Sequence, residues 1–400
     1  MTRPHALISG AGIAGPALAH QLAARGWQTT VVERFPQRRD EGHNIDVRGA
    51  ACEVARRMGI QDDIRAANTT EIGMRFVNAD GSAAASFPVN GSGVSGPTAE
   101  LEILRGELSR ILLEHTHDTT EYRFDTQIAS LAEHCDRISV VLDDGTSVDA
   151  DLLVIAEGLR SRTRDLAMPV SVTDLGMYVA YLTIPRRDSD DRWWNWQHAT
   201  GSRSIHLRPD NLGATRAMLS FMSDVKGLED LDRVDQIAIL RKSFADADGA
   251  APRILAELDH APMYFDALGQ VRAPRWSKGR VVLLGDAAYC PSPVGGGGSS
   301  LALVGAYVLA GELSRTDDPH TALGRYEQFM RPHAGAAQDV SPAMLRRANP
   351  RTRAGIRVLH TGARVVASQP VRTGMGLIGR RFSNSAAEDI RLPDYPLNPV

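Results

Sequence analysis

Lysine is nearly missing from this chain. Lys and Arg together number 45 in 400 residues, yet the only lysines are Lys226, Lys242 and Lys278. None follows a glycine-rich loop, which excludes a G-x-x-x-x-G-K phosphate loop. Cysteine is equally scarce. Cys52, Cys135 and Cys290 form no C-x-x-C pair, so neither a zinc site nor a disulfide framework is indicated, and a reducing, cytoplasmic setting is expected. Long apolar runs are absent too. The stretch "ALISGAGIAGPALA" has the look of a signal-peptide core, but its glycine spacing and the strand after it favour a folded segment. Leu301 to Gly311 is too short to span a bilayer. A net charge of −3 and a pI near 6.5 give no sign of a nucleic-acid binder. Finally, no acid occurs from Arg346 to Arg381, while arginine recurs; this reads as a basic helical tail docked on acidic surfaces.

What remains is enough for a large core: 43% apolar residues, with 23% charged, over a length that suits two or three domains. Residues 5 to 33 read strand, glycine turn, helix, strand. In "GAGIAG", Gly10, Gly12 and Gly15 form G-x-G-x-x-G between a strand and a helix opening at Ala14, the context that motif requires. Gly10 permits the tight turn, Gly12 a close backbone approach by a pyrophosphate, and Gly15 the packing of helix on strand. Glu33, followed by Arg34, ends the second strand, where a carboxylate accepts ribose hydroxyls and repels a 2′-phosphate. An ADP moiety fits, from FAD or NAD.

The stretch "VVLLGDAAYCPSPVGGGGSSLAL" separates the two. A nicotinamide dehydrogenase has no need of a second strand that ends in Gly-Asp before a glycine run. A flavin does: Asp286 can accept ribityl hydroxyls, Gly296, Gly297 and Gly298 can bring N–H groups to the polar ring edge, and Pro293 can pack beside the ring. The helix that follows points its positive end there.

Together, "GAGIAG…VVER", "DLLVIAEGLRSRTR" and "GRVVLLGDAAYCPSPVGGGGSSLAL" resemble the three fingerprints of class A, single-component flavoprotein monooxygenases, over about residues 5 to 330. The chain looks most similar to the tetracycline-modifying and antibiotic-tailoring members. The resemblance implies an α/β fold: a Rossmann-like FAD-binding domain (1–71, 98–165 and 270–345), interrupted by a β-sheet substrate-binding domain (72–97 and 166–269), with a C-terminal helical segment (346–400). It implies tightly bound, non-covalent FAD, with NADH or NADPH as transient reductant. Arg105 and Arg48 fall where the family contacts the flavin. Glu157-Gly158 stands where the family usually has Asp-Gly, and Tyr289 where it has His; Ser161 and Arg164 match. The reaction implied is hydroxylation or Baeyer–Villiger oxidation of an aromatic or polyketide-like molecule by O2, with the chemistry on the flavin and no side-chain catalyst nominated. The protein would be a monomer or homodimer.

"DRWWNWQHATGSRSIHLR" is the most aromatic piece. Trp194 and Trp196 share one face of a strand, with Trp193 on the other. They can wall a flat polycyclic ligand or simply pack a core. Arg203 and His206 are polar candidates nearby, and Met177, Tyr178, Tyr181 and Phe221 are further lining candidates. A flavin reductase or dehydrogenase without oxygen transfer, and a non-catalytic flavin protein, stay open. A flavin halogenase is disfavoured, since it needs a lysine early in the chain and the first here is Lys226.

Overall fold

The computed structural model describes residues 3–39, 42–89, 101–292, 297–368 and 390–396. Pro293 and Gly296 lie outside the described residues.

The apolar run His5–Ser9 is the middle of a six-stranded sheet. It pairs in parallel with Gln28–Val32 on one side and Leu152–Ile155 on the other. Thr120–Arg123 and Val281–Leu283 extend the parallel set, and Ser277–Lys278 closes one edge in the antiparallel sense. Strands 152–155 and 281–283 read as unbroken apolar runs because helices cover both faces. Ala14–Ala23 packs on Gly298–Leu313, which in turn packs on Pro319–Ala337. Helix 298–313 is apolar on every side, and its residues from Ser300 onward are buried. A three-stranded antiparallel sheet, Ile128–Glu133, Ile138–Leu142 and Ser147–Ala150, precedes Leu152–Ile155.

The second layer is a seven-stranded sheet. Its order is Met263–Val271, Val172–Pro185, Ala214–Met222, Arg203–Pro209, Trp194–Ala199, Gly73–Val77, Ala83–Pro88. Strand alternation gives it two distinct faces. Tyr178, Leu182, Phe221 and Phe265 point outward, against helices Arg233–Phe244 and Ala251–Glu257. Met177, Val179, Tyr181 and Leu268 point inward, with Val340 and Leu345. The inward face meets the first layer: the His43 ring stacks on Tyr181 at 4.6 Å, and Asn44 Nδ2 donates to the Pro209 carbonyl at 3.1 Å.

The region after residue 341 is helical, as Pro342–Ala348 and Arg353–Ala367. Its described residues do not dock chiefly on acidic surfaces, as the charge led us to expect. His360 donates to or accepts from His198 at 3.1 Å and stacks on Phe76 at 5.6 Å, so an aromatic contact holds helix 353–367 against the sheet. Among the arginines of the described tail, Arg346 alone reaches a carboxylate, Asp224, at 3.6 Å. Residues 390–396 return to helix 298–313. The Tyr395 ring occupies the notch left by Gly311, where a Cβ would come within 2.2 Å of it, and its hydroxyl donates to Glu312 at 2.7 Å.

Candidate functional site

The first glycine turn divides its labour. Gly10 has φ +113°, and a Cβ there would meet the Ala156 carbonyl at 2.5 Å. A Cβ on Gly15 would lie 2.0 Å from the Gly10 carbonyl oxygen. These two glycines serve strand–helix contact. Gly12 differs, because a Cβ there would approach only the Arg105 guanidinium, at 3.4 Å. Glu33 stands at the lip of the same hollow. Its carboxylate accepts from the Ala11 N–H at 2.9 Å and the Phe35 N–H at 3.1 Å. Arg38 and Arg39 complete the lining, and Ser109 donates to the Gly12 carbonyl at 3.2 Å. Arg34 is exposed and lies over the Phe35 ring at 4.9 Å, outside the hollow.

Arg105 opens helix Arg105–Glu114 at the end of strand Leu101–Leu104. Its stem rests on Gly42, where an added Cβ would come within 3.1 Å. Among the described residues no carboxylate lies within ion-pair distance of its guanidinium. Burial pulls its pKa down, and Arg39 adds to this, while Tyr264, Asp286 and Glu33 oppose it. Asp286 begins the short helix Asp286–Tyr289, after Gly285 at φ +64°. Burial pushes its carboxyl up, with Arg105 partly offsetting that. Gly285 also touches Ala14, where its Cβ would sit 3.1 Å away, so the first and last motifs meet.

The second glycine cluster ends with Gly297 at φ +77°, a backbone state that favours glycine, and helix 298–313 starts there without a side-chain cap. A Cβ on Gly298 would sit 3.6 Å from Asp286 Oδ1. Arg48 reaches the same helix start. Its backbone N–H donates to Ser300 Oγ at 3.0 Å, Ser300 Oγ donates to the Asp46 carbonyl at 3.0 Å, and its guanidinium pairs with Asp46 at 2.9 Å.

Glu157 turns away from both hollows. It accepts from the hydroxyls of Ser9, Ser161 and Thr163 and from the Thr163 N–H at 3.0 Å. Burial alone would raise its carboxyl, but these bonds hold it below the usual range. Gly158 takes φ +80° in the turn that follows. Arg164 is buried and donates to the carbonyls of Ala287 (3.2 Å) and Leu159 (3.1 Å), fastening this turn to helix 286–289.

Strand alternation splits the aromatic candidates. Trp194, Trp196 and His206 lie on the inward face with Met177 and Tyr181. Trp194 Nε1 donates to His206 Nδ1 at 2.9 Å, and the Arg208 guanidinium lies over the Trp194 ring at 4.1 Å. Trp196 is enclosed by His206 and by Phe76 edge-on, which is core packing. Tyr178, Arg203 and Phe221 do not join them. Tyr178 and Phe221 are in the outer core, and Arg203 pairs with Asp246 at 2.6 Å on that side. A cavity of about 370 Å³ opens on this outer face beside Trp193; of the arginines that line it, Arg75 and Arg253 are already paired with Asp191 and Asp190.

Residues 3–341 match the family model described as an FAD binding domain. The flavin-dependent monooxygenase eupH of Phoma sp is 37% identical over 99% of this chain and 98% of its own length. A flavin-dependent monooxygenase of Legionella longbeachae is 34% identical over 83% and 86%. The chain belongs to the FAD-binding flavin-dependent monooxygenases. Among solved structures, the tetracycline destructase Tet(55) superposes with a TM-score of 0.83 at 31% identity, covering 98% of this chain and 99% of its own. Klebsiella pneumoniae HpxO, in a crystal with FAD and uric acid, shares the fold with a TM-score of 0.78 at 20% identity, over 93% and 95%.

The monooxygenase's own residues fit an FAD. The Arg105 guanidinium, with no carboxylate within ion-pair distance among the described residues, faces Gly12, and the start of helix 298–313, which has no side-chain cap, lies beside the Asp286 carboxyl. Its departure at Tyr289 is structural. The Tyr289 ring packs on Trp276 at 4.5 Å, and its hydroxyl sits in the notch of Gly305, where a Cβ would be 2.2 Å away. Arg38, Arg39 and Ser109 were absent from the sequence candidates. The first two were signalled by "FPQRRD" directly after Glu33; Ser109 had no signal.

Proposed function

We propose that this monooxygenase draws electrons from NADH or NADPH and oxidises an aromatic or polyketide-like small molecule with O2, by hydroxylation or Baeyer–Villiger insertion. The observation that carries the proposal is the joining of two features. The hollow lined by Gly12, Glu33 and Arg105 is joined through the Arg105 N–H to His43, whose ring stacks on Tyr181 of the inward sheet face that also carries Trp194 and Arg208. FAD supplies the two-electron reduction and the activation of dioxygen. The chain's residues bind, orient and exclude water. Gly12 and Arg105 would hold the pyrophosphate, Glu33 the ribose, Asp286 the ribityl chain, and Arg48 with Gly297 and Gly298 the ring edge. Glu157 would serve by fixing the turn beneath Gly10. The aromatic wall would hold the substrate plane and keep water from the reacting face. On its few cysteines, none in a C-x-x-C pair, and its modest charge we also assign a cytoplasmic monomer or homodimer.

Purified protein should be yellow, and NAD(P)H should bleach it. Air should restore the colour, releasing peroxide when substrate is absent. A panel of polyketides, tetracyclines and simple phenols should contain compounds that speed NAD(P)H consumption and gain one oxygen by mass. Bleaching that air does not reverse would replace this reading with a dehydrogenase.

A further inference from the structure

Behind the Trp194 wall, two buried acids face one base. Arg208 donates from Nε and Nη2 to Glu71, at 2.9 and 3.2 Å, and from Nη2 to Glu102 at 2.7 Å. The two carboxyl side chains are 1% and 2% exposed. One Glu102 oxygen collects three donors: Arg208, Asn44 Nδ2 at 2.8 Å and Thr69 Oγ1 at 3.1 Å. The other oxygen is buried and has no hydrogen-bond partner among the described residues.

The second cation nearby, Arg105, bonds through its backbone N–H to the His43 carbonyl and forms no ion pair with either acid. Asp46 is matched by Arg48. Burial, with Arg208 and Arg105 close by, pushes His43 down to about 3, and burial also holds His206 neutral. Tyr181 is neutral, its hydroxyl raised by burial. Two ionised carboxylates would set two buried negative charges on the one guanidinium that bonds to them, and like charges sharing one site do not both ionise readily. A bare buried acceptor beside a second carboxyl is what a missing proton leaves behind.

We propose that Glu71 and Glu102 hold one proton between them in the resting protein, so that the pair sets a single negative charge against Arg208. Burial first, and then Glu102, raise the Glu71 carboxyl well above the ordinary range, with Arg208 opposing. The pair is a positioning device. Strand Asn44–Val47 runs into Arg48 and strand Leu101–Leu104 into Arg105, while Arg208 belongs to the sheet that carries Trp194. The shared proton lets one cluster clamp the aromatic wall to both strands. Its loss sets two carboxylates against each other at the joint. This positioning role rests on the FAD reading above; the proton count does not.

Infrared spectra of the holoprotein with carboxyl-13C glutamate test the count. At pH 7 a protonated-acid carbonyl band that shifts with the label should be present. It should vanish in both E71Q and E102Q, because the remaining carboxylate ionises against Arg208. No label-shifted band in the wild type overturns the proposal, as does a band that survives in both variants. Should a variant fail to fold, the wild-type band decides alone, since free glutamate is ionised at that pH. Positioning is tested by FAD titration. Over the pH range in which the infrared band is lost, the wild-type Kd should rise by about tenfold. E102Q, whose amide has no proton to lose, should stay flat. Parallel profiles would reject the positioning role, and a protein that never binds FAD would reject the FAD reading while leaving the infrared result standing.

Discussion

Replacing Arg105 by methionine should separate what its charge costs from what it does. The guanidinium is half-buried, has no carboxylate within ion-pair reach among the described residues, and has its pKa lowered by burial and by Arg39. In the protein without cofactor it is therefore a net burden. Methionine keeps the stem that lies on Gly42 and removes the charge, so cofactor-free R105M should melt at or above the wild type. With FAD the sign reverses. A charge-assisted hydrogen bond is worth about 1.5–3 kcal/mol, which corresponds to about 10–150-fold in Kd. At a fixed FAD concentration about 100 times the wild-type Kd, binding stabilises the native state by roughly 2.7 kcal/mol, and a 30-fold weaker variant forfeits about 2 kcal/mol of it. Flavin fluorescence titration gives the Kd, and paired melting curves with and without FAD give the two stabilities. If R105M binds FAD as tightly as the wild type, or if its cofactor-free form melts several degrees lower, the assignment of Arg105 to the cofactor's charge is wrong.

Three further outcomes are expected. The folded Glu157 carboxyl lies below its unfolded value, so its stabilising effect is present above the unfolded pKa and disappears as pH falls through the folded one. E157Q should accordingly melt lower at pH 7 and lose less than the wild type on acidification, as scanning calorimetry across pH would show. G311A should drive the Tyr395 ring off helix 298–313 and cost about 1–3 kcal/mol, read as a lower urea midpoint. Y289H, which restores the family's usual residue, should lose the contact with Trp276, worth roughly 0.5–1.5 kcal/mol for an aromatic pair. A lower melting temperature with no gain in NAD(P)H oxidation is the expected result; a gain would show that the histidine acts chemically.

Much of the cofactor hollow could be read from local sequence. Gly10, Gly12, Gly15 and Glu33 are close in the chain, and short-range geometry fixes their arrangement. The substrate face was harder. Met177 and Tyr178 are adjacent in one strand, so alternation alone forbids both from lining one cavity. Which of them faces the first layer depends on where helices 233–244 and 251–257 pack, and that is a tertiary outcome. The tail's docking was misjudged because its many arginines drew attention from His360, the residue that carries the contact. Glu71, Glu102 and Asn44 left no trace in the sequence. They come together only because strands 44–47 and 101–104 pair with each other and lie against the end of strand 203–209.

The parallel pairing of Leu152–Ile155 with Val281–Leu283 spans five of the seven strands of the second sheet. Gly12 and Gly298, the tips assigned to opposite ends of one dinucleotide, are distant in the chain, and the helices that follow them pack together only in the finished fold. Bringing such remote segments together is entropically slow. A molecule that bridges them acts as a reversible staple on the longest loop in the protein, so loss of the flavin should be felt first as a faster rate of unfolding.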